Sequence, residues 1–184
     1  MRLHYGMTVN NDGHLTLGGC DAVLLAKRYG TPLYVLDENA VRKNCRDAVN
    51  AMKKYFPDGR VMYASKALNT KAVLLIAQSE GLGIDTVSGG ELYTALSAGI
   101  DPQKIELHGN SKTEEEIRMA VKNGIYCIIA DGFDELELIE KISKEENRKT
   151  NVSLRLRPNI DVHAHKAVQT ARMDCKFGFG ISDN

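Results

Sequence analysis

The stretch "GIDTVSGGELYTALSAGIDPQKIELHGN", residues 83–110, decides the fold. It opens on a short apolar run around Ile84, turns at Ser88-Gly89-Gly90, and continues as a helix-like segment ending in Gly99. A second strand-like run, "KIELHGN" (104–110), follows after a few residues. A helical crossover of that length between two apolar runs is what a parallel strand pair requires, since a tight hairpin joins only antiparallel strands.

The same unit recurs on both sides. "RVMYASK" (60–66) reads as a strand, and "TKAVLLIAQSEG" (70–81) as an apolar helix stopped by Gly81. "TEEEIRMAVKNG" (113–124) sets Thr113 and Glu116 at capping-box spacing and closes at Asn123-Gly124. "IYCIIAD" (125–131) and "NVSLRLRP" (151–158) read as strands, with "GFDELELIEKISKEEN" (132–147) as a helix between them. Upstream, "TPLYVLDE" (31–38) is a further strand-like apolar run. "NAVRKNCRDAVNAMKKYF" (39–56) places Val41, Cys45, Ala48, Met52 and Tyr55 three or four apart, an amphipathic helix.

Strand starts at 61, 84, 105, 125 and 152 are 23, 21, 20 and 27 residues apart. Such even spacing predicts an α/β fold with parallel strands and right-handed crossovers. A doubly wound sheet would advertise a glycine-rich phosphate turn after a strand. The one G-x-G, Gly81 and Gly83, precedes a strand instead. The expectation is a partial TIM (β/α)8 barrel of about five βα units. The ending "KFGFGISDN" follows a strand and loop with no closing helix, and so reads as an interruption.

Bulk properties narrow the function. The chain has 184 residues, 43% hydrophobic and 26% charged, with a formal net charge of zero, which suits a packed core and lacks the basic stripe of a nucleic-acid binder. No apolar run approaches the ~18 residues that span a bilayer, and the N-terminus has no apolar signal segment. Cys20, Cys45, Cys127 and Cys175 form no C-x-x-C pair and read as reduced thiols. A cytoplasmic protein without nucleic-acid or membrane partners is expected.

In parallel α/β proteins the site lies at the C-terminal ends of the strands. Those ends carry Ser65 and Lys66, then Asp85 with Ser88 to Glu91, then His108, Gly109 and Asn110 with Lys112 nearby, then Asp131, then Arg155 and Arg157. Asp131 and Ser88 sit where helix caps are needed, and capping competes with a site role for both. Asp85 and Arg155 lie within strands, where capping does not explain them. Buried charges need partners, so Lys66, Asp85 and Arg155 are candidates for charge balance around one cavity.

Alternation sets Met62, Ala64 and Lys66 on one strand face, with Lys66 at the rim. Two roles are open: a structural lysine paired with Asp85, or an amine that attacks a carbonyl. In the second case burial and nearby cations would favour the neutral, nucleophilic form.

The blocks "YGTPLYVLDE", "YASKALNT", "DTVSGGEL", "HGNSK", "RLRPNIDVHAH" and "KFGFG" together resemble the diaminopimelate decarboxylase family, in order and in spacing. That family belongs to the alanine-racemase-like, fold-type III enzymes that use pyridoxal 5'-phosphate. The resemblance runs from about residue 14 to the end. It implies a TIM barrel followed by a β-rich C-terminal domain, working as a homodimer with sites at the subunit interface. Residues 1–30 would be an N-terminal segment partly associated with that β domain, and residues 31–184 the N-terminal part of the barrel.

By the same resemblance, Lys66 matches the catalytic lysine that holds the cofactor. Asp85 matches the acidic residue near that bond, His108 and Asn110 match the H-G-N block, and Arg155 matches the strand arginine facing the cofactor. Glu91 falls in a block lining the same rim. The implied reaction is decarboxylation of meso-2,6-diaminoheptanedioate to L-lysine and carbon dioxide. Two positions depart from the family pattern: Arg157 stands where asparagine is usual, and Ala171 follows Thr170 where glycine is usual.

The family's stacking histidine, phosphate loop and substrate-binding C-terminal domain match nothing in these residues. The chain is therefore expected to be the N-terminal part of a longer enzyme, and by itself to bind the cofactor weakly and not to decarboxylate. Three alternatives stand beside this reading. One is a non-catalytic single-domain pyridoxal-phosphate binder. Another is a decarboxylase for ornithine, arginine or carboxynorspermidine. The third is a metal-dependent hydrolase using the His163-x-His165 pair, although no metal site is expected.

Overall fold

The computed structural model describes residues 3–158 and 177–180. The chain divides into two compact units, Met1–Val61 with Ser79–Leu82, and Met62–Gln78 with Gly83–Asn184.

The first unit begins with strands β1 (Met7–Val9), β2 (Leu15–Leu17) and β3 (Cys20–Asp21), an antiparallel sheet in chain order. Asp21 ends the sheet and caps helix α1 (Ala22–Tyr29), its carboxylate accepting from the backbone N–H groups of Val23 and Leu24. Asp37 does the same for helix α2 (Glu38–Tyr55), accepting from Asn39 and Ala40. Arg42 and Arg46 on α2 both reach Glu80, at 2.8 and 3.0 Å. The strand expected in "TPLYVLDE" is absent: residues 31–37 are irregular, and Leu33, Tyr34, Val35 and Leu36 are exposed. An apolar run becomes a strand only where a neighbour takes its backbone hydrogen bonds, and this run pairs with no strand among the described residues.

The second unit carries the repeat. Strands β4 (Met62–Ala64), β5 (Gly83–Thr86), β6 (Ile105–Leu107), β7 (Cys127–Ala130) and β8 (Val152–Leu154) form one parallel sheet in unbroken chain order. Helices α3 (Lys71–Ser79), α4 (Gly89–Ser97), α5 (Glu114–Asn123) and α6 (Phe133–Glu145) make the crossovers. A doubly wound sheet reverses direction at a switch point, so the unbroken order is that of a barrel wall.

Local signals account for the helix ends. Thr113 and Glu116 form the expected reciprocal capping box on α5, and Gly124 ends that helix in the left-handed conformation. On the helix-facing side of the sheet, Ile84, Ile105, Leu107 and Ile128 are fully buried, with Leu92, Ile117 and Ile142 packed from the helices. Each such side chain contributes about 1.5–3 kcal/mol through its removal from water. The register aligns Ala64 with Asp85, Asp85 with Glu106 and Glu106 with Cys127, so these four form one row across the opposite, inner face.

Strand β9 (Leu156–Arg157) pairs in parallel with β10 (Phe179–Gly180), Phe179 opposite Leu156, as a two-stranded sheet separate from the five-stranded one. Gly178, at φ +71°, makes the turn possible, and the Phe179 N–H donates to the Arg155 carbonyl at 2.8 Å. Among the described residues, no helix is long and apolar enough to cross a membrane.

Candidate functional site

Five segments meet at one cavity of about 360 Å3, lined by Lys66, Val87, His108, Gly109, Asn110, Arg155 and Phe177. Of the five cofactor residues expected from the sequence, four line it: Lys66, His108, Asn110 and Arg155. Asp85, the fifth, lies just behind, its Oδ1 3.6 Å from His108 Nδ1.

Lys66 stands at the rim, as alternation predicts, and is exposed there. The reason is local. Strand β4 ends at Ala64, and the chain tightens into a 3-10 turn over Ser65–Ala67 that lifts the lysine past the rim. The residue before it anchors that turn. Ser65 is fully buried, and its hydroxyl, with one proton to donate, stands 2.5 Å from Glu91 Oε2 and 2.9 Å from the Asp85 carbonyl oxygen. Glu91 Oε2 also accepts the Val87 N–H at 3.0 Å. Glu91 therefore supports the rim from below rather than lining it, while Ser88 caps α4 as its position suggested.

Charge balance around the cavity does not run through Lys66. Asp85 stands by His108, and Arg155 NH1 stands 3.6 Å from Asp131 Oδ1. The structural pairing of Lys66 with Asp85 is not formed, and among the described residues the Lys66 ammonium has no hydrogen bond or ion pair. Two buried polar atoms, Asp85 Oδ1 and His108 Nε2, likewise have no hydrogen-bond partner among the described residues.

The sequence reading passed over Glu106. It aligns with Asp85 and precedes His108 by two positions, so the three polar groups share the inner face. Burial pushes the Glu106 carboxyl above the ordinary glutamate range, the negative charge of Asp85 adds to this, and His108 opposes it. The available signal was a charged residue alternating with Ile105 and Leu107 inside a strand.

Asp131 is not a helix cap. Gly132 holds that position on α6, with no side-chain cap. Asp131 Oδ2 instead accepts from Asn110 Nδ2 at 2.6 Å, and its Oδ1 accepts from the Gly178 N–H at 3.1 Å. Lys112 is structural too. Its ammonium, with the side chain 2% exposed, donates to Gly109 O at 3.0 Å, Ile129 O at 2.7 Å and Glu135 Oε1 at 2.6 Å. All three of its protons are used. Gly109 itself has φ +107°, and a Cβ there would stand 2.9 Å from the Val87 carbonyl oxygen, so the H-G-N turn requires glycine.

The departure at Arg157 has a structural reading: its NH1 donates to the Phe177 carbonyl at 3.3 Å, fastening the segment that leads into β10. Ala171, Cys175 and the His163-x-His165 pair lie outside the described residues.

Comparisons with known proteins agree with this arrangement. A family model described as "Pyridoxal-dependent decarboxylase, pyridoxal binding domain" matches residues 42–184. Diaminopimelate decarboxylase of Bacillus methanolicus is 46% identical over 183 residues, covering 100% of this chain and 42% of that relative. The Bacillus subtilis enzyme of the same name is 43% identical over 181 residues, 98% of this chain and 41% of the relative. Among solved structures, diaminopimelate decarboxylase from M. jannaschii in co-complex with L-lysine superposes with a TM-score of 0.84 at 33% identity, covering 96% of this chain and 42% of that one. The chain thus spans about two-fifths of the length of these relatives, 42% and 41% of the two enzymes. It belongs to the pyridoxal-dependent decarboxylases, matching their pyridoxal binding domain.

Proposed function

We propose that this chain forms the lysine-bearing part of a pyridoxal-5'-phosphate-dependent carboxy-lyase, with Lys66 as the residue that binds the cofactor. The observation that carries the reading is the state of Lys66. Its amine stands exposed at a cavity, engaged by nothing among the described residues, while the charges near it pair with one another. A lysine with a structural task would be engaged, as Lys112 is.

The residues present fit the cofactor. Lys66 offers a free amine for its aldehyde, Arg155 a cation, Asn110 an amide, and the buried His108 Nε2 and Asp85 Oδ1 offer hydrogen-bonding capacity that no protein group uses among the described residues. When bound, the cofactor supplies an electron sink for the carbon that loses its carboxylate. Lys66 would hold the group by its amine, and its Nζ would be placed to carry a proton to or from the reacting carbon. Asp85 stands 3.6 Å from the His108 ring and helps set where that ring lies in the cavity wall. The Arg155 guanidinium, fixed by Asp131, keeps a positive charge at the cavity wall.

In the complete enzyme the substrate is meso-2,6-diaminoheptanedioate and the products are L-lysine and carbon dioxide, a step of lysine biosynthesis. The support is the shared name of the relatives that match nearly the whole chain. The enzyme is a cytoplasmic homodimer acting on a small-molecule amino acid, with no nucleic-acid or membrane partner. Residues 1–30 associate in part with a C-terminal β domain, and the chain by itself does not turn over. Titrating the chain with pyridoxal phosphate tests the reading. The visible absorbance band of lysine-bound cofactor is expected in the unmodified chain and lost in Lys66→Ala. A band of equal strength in the variant contradicts it.

A further inference from the structure

Three residues of the cavity wall come from three different segments: Asn110 follows β6, Arg155 follows β8, and Phe177 precedes β10. Their connection is a carboxylate that does not line the cavity. Asp131 accepts from Asn110 Nδ2 at 2.6 Å and from the Gly178 N–H at 3.1 Å, and stands 3.6 Å from Arg155 NH1. We infer that Asp131 is a positioning residue for the Lys66 cavity, holding Asn110, Arg155 and the Phe177–Gly178 turn in their places before any ligand arrives.

Its burial supports this. The Asp131 side chain is 4% exposed, and a carboxylate taken out of water to that extent is retained only with charged or hydrogen-bonding partners. Capping does not account for it, since the N-cap of α6 is Gly132. The partners also lock one another. The Arg155 guanidinium carbon lies over the Phe177 ring, 4.0 Å from its centroid, while NH1 stands 3.6 Å from Asp131 Oδ1. A Cβ on Gly178 would stand 2.7 Å from the Arg155 carbonyl oxygen, so only glycine brings this N–H to the Asp131 carboxylate. The guanidinium therefore reaches the cavity with its orientation set on two sides. The geometry gains a ligand by avoiding the ordering of a long side chain on binding.

The inference rests on the Lys66 cavity being the ligand site, and the test separates the two. The 15N heteronuclear NOE of the arginine Nε–H signals is measured in the ligand-free chain, with Arg155 assigned through Arg155→Lys. Arg155 is expected to be as rigid as the backbone and the exposed Arg28 mobile. In Asp131→Asn, which keeps the shape and removes the charge, Arg155 becomes as mobile as Arg28. The pyridoxal phosphate dissociation constant rises about 10-fold, the order found when a supporting group behind a binding residue is removed. An Arg155 already mobile in the unmodified chain overturns the inference even if the variant does not fold. Unchanged Arg155 mobility in Asp131→Asn overturns it as well, and so does an unchanged dissociation constant once Arg155 is mobilised. Failure of the lysine reading would show instead as binding that Lys66→Ala leaves intact.

Discussion

The Ser65 hydroxyl stands 2.5 Å from the Glu91 carboxylate, so the residue next to the candidate reacting lysine is tied to the first turn of α4. This bond sets where β4 stops and where Lys66 begins to project. Glu91→Ala leaves the Ser65 hydroxyl and the Val87 N–H without their carboxylate. The Ser65 hydroxyl keeps the Asp85 carbonyl as an acceptor, so the expected loss is about 1–3 kcal/mol for the one donor left unsatisfied, the Val87 N–H, and less in Glu91→Gln, which keeps an acceptor. Urea unfolding of the chain measures it, and equal stability of the three proteins would contradict the role.

The buried Lys112–Glu135 pair gives a second expectation. Lys112→Met strands a carboxylate and two carbonyl oxygens, with a loss of about 3–5 kcal/mol. The double variant Lys112→Met/Glu135→Leu removes both charges and is expected to be more stable than Lys112→Met alone. A double-mutant cycle by denaturant unfolding checks the order.

Acid stability of the first unit follows from Asp21. The His14 side chain at 2.9 Å, with the Val23, Leu24 and Asn10 hydrogen bonds, holds its carboxyl at about 2, below the ordinary value of 3.8. A carboxyl whose folded value is depressed contributes stability above its unfolded value and loses it as pH falls through the folded one. The contribution is therefore complete above about pH 4 and fades toward pH 2. Asp21→Asn is expected to flatten this limb of the pH–stability curve while leaving the slope above pH 5 unchanged. An unaltered slope between pH 4 and 2 would remove Asp21 as its source.

The repeat was legible because each crossover carries its own punctuation. The Thr113–Glu116 box and Gly124 mark α5 at both ends, and the alternation of apolar strands with amphipathic helices gives the parallel order. Strands β1 to β3 were not legible, since two or three residues are too few to show a period. "TPLYVLDE" misled because apolar composition reports a tendency to pair, not the presence of a partner. The pairing of the "KFGFG" segment was not legible either, since it depends on Gly178 bringing the chain back beside β9.

Within the site, strand-end position and family resemblance found Lys66, His108, Asn110 and Arg155. They did not show how charges pair, because pairing depends on register. Asp85 meets His108, two residues further along the neighbouring strand, and Arg155 meets Asp131, the residue after β7. Lys66 is left unengaged among the described residues as a consequence. A rim site for Lys66 was legible from alternation, but its exposure was not, because the turn at Ser65–Ala67 depends on the distant Glu91.

The most direct test of the central claim is to make any lysine-bound pyridoxal phosphate permanent and find where it is. The chain is saturated with cofactor, reduced with borohydride, digested and mapped by mass spectrometry. The account predicts a pyridoxyl label on Lys66 in excess over every other lysine, and its loss in Lys66→Ala without transfer to a neighbouring residue. A label spread evenly over exposed lysines, or one concentrated elsewhere and unaffected by Lys66→Ala, would contradict it.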